Sequence, residues 1–254
     1  MLSGRLPEAN GRSMPGSQYE PPMHVNCIKL SEILEFCGRR SPDQQQISFL
    51  AGGEIGLDAN GDLPVYWAGN LSLLKAPCVS IIGTRKVSPE GAARARRLAR
   101  ELVKAGVVVV SGLAEGVDTE ALQTATEADG SAVAVIGTPL DKAYPAQNKR
   151  LQETIWRGHL LISQFASGSR VYKANFPRRN RLMAAISDAS VVIEASDTSG
   201  TLHQAAECAR LGRWLFIAKS VVDDPRLTWP RKFLNAPTCA ILSSTADVLS
   251  RLHR

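Results

Sequence analysis

Three arginines, two asparagines and a phenylalanine crowd the stretch Ala174-Asn175-Phe176-Pro177-Arg178-Arg179-Asn180-Arg181, and Arg170 and Lys173 extend its positive charge upstream. Guanidinium groups match phosphate oxygens two at a time. A phenyl ring offers a flat face on which an unpaired base stacks. The apolar run Leu182-Met183-Ala184-Ala185-Ile186 follows at once. The segment is therefore expected as a basic loop entering a helix near residue 178, whose free N–H groups add donors for an anion. Taken alone, the same composition equally describes a solvated basic turn with Phe176 tucked into the core.

The weight comes from the other loops. Short apolar runs recur along the chain, and most end in glycine with serine or threonine. Gly83-Thr84-Arg85-Lys86 follows one run, and Ser111-Gly112 opens a second loop that continues to Asp118. Gly137 and Thr138 follow a third, with Tyr144-Pro145 beyond, and Ser199, Gly200 and Thr201 lie after a later one. Glycine lets backbone N–H groups approach a phosphate closely, and hydroxyls add donors. Each loop by itself needs its glycine only for the turn. Together with Lys173, Asn175, Phe176, Arg178, Arg179 and Arg181, these loops predict a phosphate-bearing ligand. No G-x-G-x-x-G fingerprint, Walker lysine, H-E-x-x-H or nucleophile elbow is present. Of four dispersed histidines, His203 lies four residues before Glu207, a spacing that describes a surface contact better than a catalytic dyad. No catalytic residue, metal site or cofactor is assigned.

The elements that must hold these loops alternate regularly. Strands are expected at 78–82, 107–110, 132–136, 160–164, 190–193 and 214–218. Helices are expected at 88–106, from a cap at Asp118 or Thr119 to 128, at 146–157, at 178–187 and at 200–211. Ser88-Pro89-Glu90 is a helix start by type: cap, proline in the first turn, acid at the positive end. Wholly apolar strands alternating with helices imply an α/β fold: an extended Rossmann-like, doubly wound, mostly parallel sheet covered on both faces. In such sheets ligands bind at the carboxyl ends of the strands, where these loops fall. That domain is expected over 76–254. Residues 1–23, rich in Gly, Pro, Ser and Asn, are expected to be disordered, with Met23 a candidate start; 24–75 is expected as a small irregular N-terminal region.

The 254 residues carry 44% hydrophobic and 21% charged side chains, enough for a core without disulfides or metal. The five cysteines show no C-x-x-C spacing, and a reducing cytoplasm is the expected location. No apolar run reaches membrane-spanning length. The net charge of +6 permits nucleic-acid binding without demanding it.

Taken in order, the loops resemble the DNA-processing protein A family, also called Smf. The matching parts are Ile82-Gly83-Thr84-Arg85-Lys86, Ser111 to Asp118, Ala134 to Thr138, Tyr144 to Asn148, Asn175 to Arg181 and Ser199 to Leu202, within residues 65–220. The resemblance implies single-stranded DNA as ligand, a role in loading the RecA recombinase during natural transformation, and a homodimer. It places Arg85, Phe176, Arg178 or Arg179, Arg181 and Lys173 in the DNA pocket. The chain looks like a trimmed, divergent member. Glu90 stands where the family has an aromatic, Glu115 where it has arginine, Leu122 where it has histidine and Pro139 where it has glycine. Two rival functions share the phosphate loops. One is a sensor of small nucleotides. The other is a phosphoribohydrolase similar to the LOG proteins, whose general-base glutamate falls at Gln204 here.

Overall fold

The computed structural model describes residues 19–39, 43–51 and 57–252; the expected disordered tail lies outside them up to residue 18. Strand β1 (Asn26–Lys29) leads into helices α1 (Leu30–Phe36) and α2 (Gln44–Ala51), then β2 (Pro64–Gly69) and a short 3-10 turn. The alternating part follows as β3 (Cys78–Gly83), α3 (Pro89–Lys104), β4 (Val108–Ser111), α4 (Val117–Glu127), β5 (Ala132–Ile136), α5 (Lys149–Gly158), β6 (Leu160–Ser163), α6 (Asn175–Ile186), β7 (Ala189–Glu194), α7 (Thr201–Arg210) and β8 (Trp214–Ala218). The tail adds α8 (Lys219–Val222), β9 (Cys239–Leu242) and α9 (Thr245–Leu249).

These strands form one nine-stranded sheet in the order β1-β2-β6-β5-β4-β3-β7-β8-β9. It is parallel from β6 to β9, and β1 and β2 add antiparallel to the β6 edge. The chain runs outward from β3 through β4, β5 and β6, then returns to β7 on its other side. The topological switch point thus lies between β3 and β7, where doubly wound sheets open a crevice. The β3–β7 register also shifts between Ile82 and Gly83, a local irregularity of the kind found beside functional sites.

The α/β, mostly parallel architecture is the one the alternating pattern implies, with helices on both faces. Alternate residues of β3 show why the runs are wholly apolar: Val79 and Ile81 pack in the core under α3 and α4, Cys78 and Ile82 in the core under α6 and α7. Ser88 caps α3 by accepting from Gly91 N at 3.0 Å.

Four expectations change. Residues 24–75 are not an irregular apron. Leu30, Ile33, Leu34, Leu63 and Val65 are fully buried in the same core as α6, because a seven-residue helix cannot enclose a core of its own. Residues 19–23, expected within the disordered tail, lie against α5. Tyr19 donates to Leu140 O at 2.8 Å and accepts from Gln152 Nε2 at 2.7 Å, and burial pushes its phenol up to about 12. Helix α4 begins at Val117 after Gly116, whose φ of +76° only glycine adopts cheaply, so neither Asp118 nor Thr119 is its cap. Helix α6 begins at Asn175, three residues before the expected start, and so takes in the whole basic motif. Pro177 lies in its first turn, where an N–H has no intrahelical acceptor to lose.

One buried ion pair pins the N-terminal elements to the sheet. Arg39 is 5% exposed. It grips Asp188 with Nε at 3.1 Å and Nη2 at 2.8 Å, while Nη1 donates to Leu74 O at 2.6 Å. Asp188 also accepts from Cys78 N at 2.8 Å, tying the starts of β3 and β7 together. Removing one partner of a buried pair strands the other charge. Arg39→Met is expected to lower unfolding free energy by about 3–5 kcal/mol in denaturant titration; a loss under about 1 kcal/mol would mean the pair is not a tie point.

Candidate nucleic-acid interface

A cavity of about 300 Å³ opens at the switch point. Its walls come from four places. Gly83, Thr84 and Arg85 follow β3; Ser199, Gly200 and Thr201 precede and open α7; Phe176, Arg179 and Asn180 project from α6; Ala114 and Asp118 close the floor from the β4–α4 loop and α4. The expected loops therefore meet in space although they are scattered in sequence.

Local bonds fix the rim. Thr84 N donates to Glu194 O at 2.7 Å, joining the loops after β3 and β7. Thr201 is buried, and its hydroxyl donates to Gly83 O at 3.2 Å. Asn180 Nδ2 donates to Gly200 O at 3.1 Å, which ties α6 to the start of α7. Arg85 and Lys86 are exposed, and so is Lys173 in the turn before α6.

Phe176 and Arg179 lie three residues apart, on one face of α6. Each fills the space of a missing Cβ. A Cβ on Gly137, after β5, would come within 2.8 Å of the Phe176 ring. A Cβ on Gly112, after β4, would overlap Arg179 Nη1. Both glycines are thus required by the side chains above them. Above Gly137, Phe176 is partly buried: the Tyr144 ring lies 5.4 Å away at 47°, and the Arg85 guanidinium lies 5.4 Å from its centroid. Tyr144 itself is 48% exposed.

Arg179 differs from the other cations of its motif. It is 4% exposed and donates through Nη1 to Gly112 O and, at 2.9 Å, to Val135 O. Asp118 Oδ2 is 4.0 Å from the same nitrogen. Burial pushes the Asp118 carboxyl up and the Arg179 guanidinium down, and their mutual attraction opposes both shifts. Arg179 thus fastens α6 across the ends of β4 and β5 and presents only an edge to the cavity.

Several expected residues lie elsewhere. Ser111 is buried and donates to Ile81 O at 2.6 Å; Thr138 is buried and donates to Lys142 O at 3.1 Å. The first hydroxyl ties the end of β4 to β3, and the second braces the loop after β5. Asn175 is buried in the first turn of α6. Arg178 and Arg181 are partly buried and do not line the cavity; Glu207 and Arg210 of α7 both act on the Arg181 charge. A helical period explains the split, since on a helix 176 and 179 face one way while 178 and 181 turn away. Tyr144, Asp118, Asn180 and Gln204 stand in the loops and motifs read from the sequence but are not among the expected site residues. The signal for Tyr144 was present: an aromatic in a strand-end loop with no apolar partner nearby in sequence. Gln204 is fully buried, and its Nε2 donates to Ser190 at 2.9 Å. No cluster of three or more metal-ligating side chains occurs among the described residues.

The family model for DNA recombination-mediator protein A matches residues 59–253. The DNA processing protein DprA of Streptococcus pneumoniae is 41% identical over 165 residues, covering 64% of this chain and 58% of the relative. The solved structure of that species' DNA processing protein A superposes with a TM-score of 0.68 at 36% identity, covering 75% of this chain and 67% of the other. Similarity also extends to the structure of DNA processing protein A from Helicobacter pylori, solved for its single-stranded DNA binding mode: TM-score 0.68, 24% identity, 90% of this chain and 96% of the other. At that identity the match shows the fold. The chain belongs to the DNA recombination-mediator protein A family and spans little more than half the length of the Streptococcus relative.

Two variants separate the buried clamp from the exposed cation. Arg179→Met leaves Asp118 buried and unpaired, and is expected to lower stability by about 3–5 kcal/mol. That loss should shrink as pH falls. With its folded pKa raised, Asp118 costs nothing while protonated below its unfolded pKa, and the penalty grows as pH rises through the raised value. Denaturant melts at pH 5 and pH 8 check the sign. Arg85→Ala, on an exposed loop, should change stability by less than about 0.5 kcal/mol; a large drop would make Arg85 structural as well.

Proposed function

We propose that this protein binds single-stranded DNA at the β3–β7 crevice, without catalysis, as a recombination-mediator protein of its family. The observation that carries the proposal is the placing of Phe176. Its ring lies at the cavity mouth, partly buried on Gly137 and flanked by Arg85 and an exposed tyrosine. A ring held in this way stacks on a base from either strand polarity and any sequence, while the exposed Arg85, Lys86 and Lys173 meet phosphates. An unpaired strand suits this geometry better than a duplex, whose bases are already stacked on one another. The Thr84 hydroxyl, which only accepts within the fold, supplies a further donor in the cavity, while the Ser199 and Thr201 hydroxyls are committed to Thr201 and Gly83.

Binding is favoured over hydrolysis by what occupies the expected base position. Gln204 is fully buried, bonded to Ser190, and an amide takes up no proton near neutral pH. Glu207, one turn on, is buried in an ion pair with Arg210. A small-nucleotide sensor would use the same cavity but would need neither the aromatic mouth nor the outlying cations. The RecA recombinase and a second copy of this chain are proposed partners, on the ground of family membership alone. A cytoplasmic setting is proposed likewise; among the described residues no helix is long and apolar enough to cross a membrane.

The test is a titration of matched single-stranded and duplex oligonucleotides across salt. Single strands should bind more tightly, with a slope of log K against log salt of about −0.7 per phosphate contacted; equal or tighter duplex binding contradicts the proposal. Phe176→Ala isolates the stacking contribution. It should weaken single-strand binding by roughly 1–3 kcal/mol and leave the salt slope unchanged, since no phosphate contact is lost. Unchanged affinity in a destabilised variant would make the ring a packing element only.

A further inference from the structure

We propose that Tyr144 and Glu115 form a second base subsite beside Phe176, and that it makes the protein prefer cytosine to thymine. The inference rests on the single-strand proposal above and adds a specificity to it.

Adjoining the main cavity, with which it shares Arg85, Phe176 and the buried Arg179, is a narrow slot of about 20 Å³ whose other walls include Glu115, Tyr144 and Pro145. That is room for one water-sized group, not for an aromatic ring. Tyr144 is the open wall: 48% of its surface is exposed, and it is tilted against Phe176 rather than covered by it. A base leaving Phe176 meets Tyr144 as the next flat surface. Arg85 lines both the slot and the main cavity, so a phosphate held there is shared by the bases on either side.

Glu115 gives the slot its chemistry. It is exposed and accepts a bond from Gln147 Nε2 through Oε1, and Oε2 has no partner among the described residues. A carboxylate beside a phosphate-binding arginine weakens polyanion binding unless it makes a contact of its own. It accepts hydrogen bonds and donates none. An exocyclic amino group is water-sized and supplies the donor. Cytosine presents such a group, N4, where thymine presents the O4 acceptor, which a carboxylate repels. The N3–H of thymine is flanked by two carbonyl oxygens and offers no substitute.

The experiment measures Kd for oligo-dC and oligo-dT of equal length on the full chain, its Glu115→Ala and Glu115→Gln variants, and Tyr144→Ala. The wild type should favour oligo-dC about fivefold, the size of one partly exposed charged hydrogen bond. Glu115→Ala should bring the ratio to about one and strengthen oligo-dT binding. Glu115→Gln should lose or reverse the ratio, because with its amide oxygen held by Gln147 it presents an NH2 that donates to thymine O4. Tyr144→Ala should weaken both ligands at least fivefold, with melting temperature nearly unchanged for so exposed a ring. If Glu115 only repels phosphates, both ligands gain equally in both Glu115 variants and the ratio stays fixed, which overturns the subsite. A wild-type ratio of one with normal binding overturns the subsite and leaves the single-strand proposal standing; no binding of either oligonucleotide overturns both.

Discussion

The buried guanidinium of Arg179 is the interaction on which the crevice depends. It bonds the carbonyls of Gly112 and Val135, at the ends of adjacent strands, and lies beside the buried Asp118 of α4. Helix α6 is thereby fixed across the β4 and β5 ends, and Phe176, one turn earlier, is set on Gly137. The cation, the ring and the two glycines form one unit: each glycine exists for the side chain above it. A buried charge of this kind contributes little net stability when paired but is severe to break, so it fixes position more than it adds strength.

This arrangement separates two roles that one arginine-rich motif contains. Arg179 is desolvated and committed to backbone carbonyls. Arg85, Lys86 and Lys173 are in water, where a long cation keeps its freedom until an anion arrives. Exposed charge at and around the crevice would then set encounter and salt dependence, and the aromatic mouth would set the preference for unpaired bases. The switch point between β3 and β7 is where both can reach one ligand, because the strand order turns there and leaves the loop ends uncovered.

Much of the fold is legible in the sequence because both faces of the parallel strands are buried, which turns each into a short, mostly apolar run, with a glycine stop at β3, β4 and β5. The strand Pro64–Gly69, between β1 and β6, is not legible in that way. Its Tyr66 and Trp67 are half covered, and it pairs antiparallel on β6, so no continuous run marks it. The start of α6 was misplaced because Pro177 and three arginines have a loop's composition; the helical spacing of Phe176, Arg179, Leu182 and Ile186 is the better guide. The same spacing tells which arginine is buried, a distinction that composition cannot make. Ser111 and Thr138 have the types a phosphate site uses, and only their burial and bonding show that they hold main-chain carbonyls of β3 and of the loop after β5. The motif marks Tyr144, but its pairing with Phe176 is not legible, because the two are far apart in sequence and near only through the β5 and β6 ends.

The most direct measurement is photo-crosslinking of a single-stranded oligonucleotide carrying halogenated pyrimidines, with the attached peptides identified by mass spectrometry. Crosslinks should fall on Phe176 and Tyr144, the two rings at the crevice mouth. Efficient crosslinking confined to surfaces away from that mouth, such as the exposed outer face of α3 around Arg97 or the β1 edge at Met23, would contradict the account.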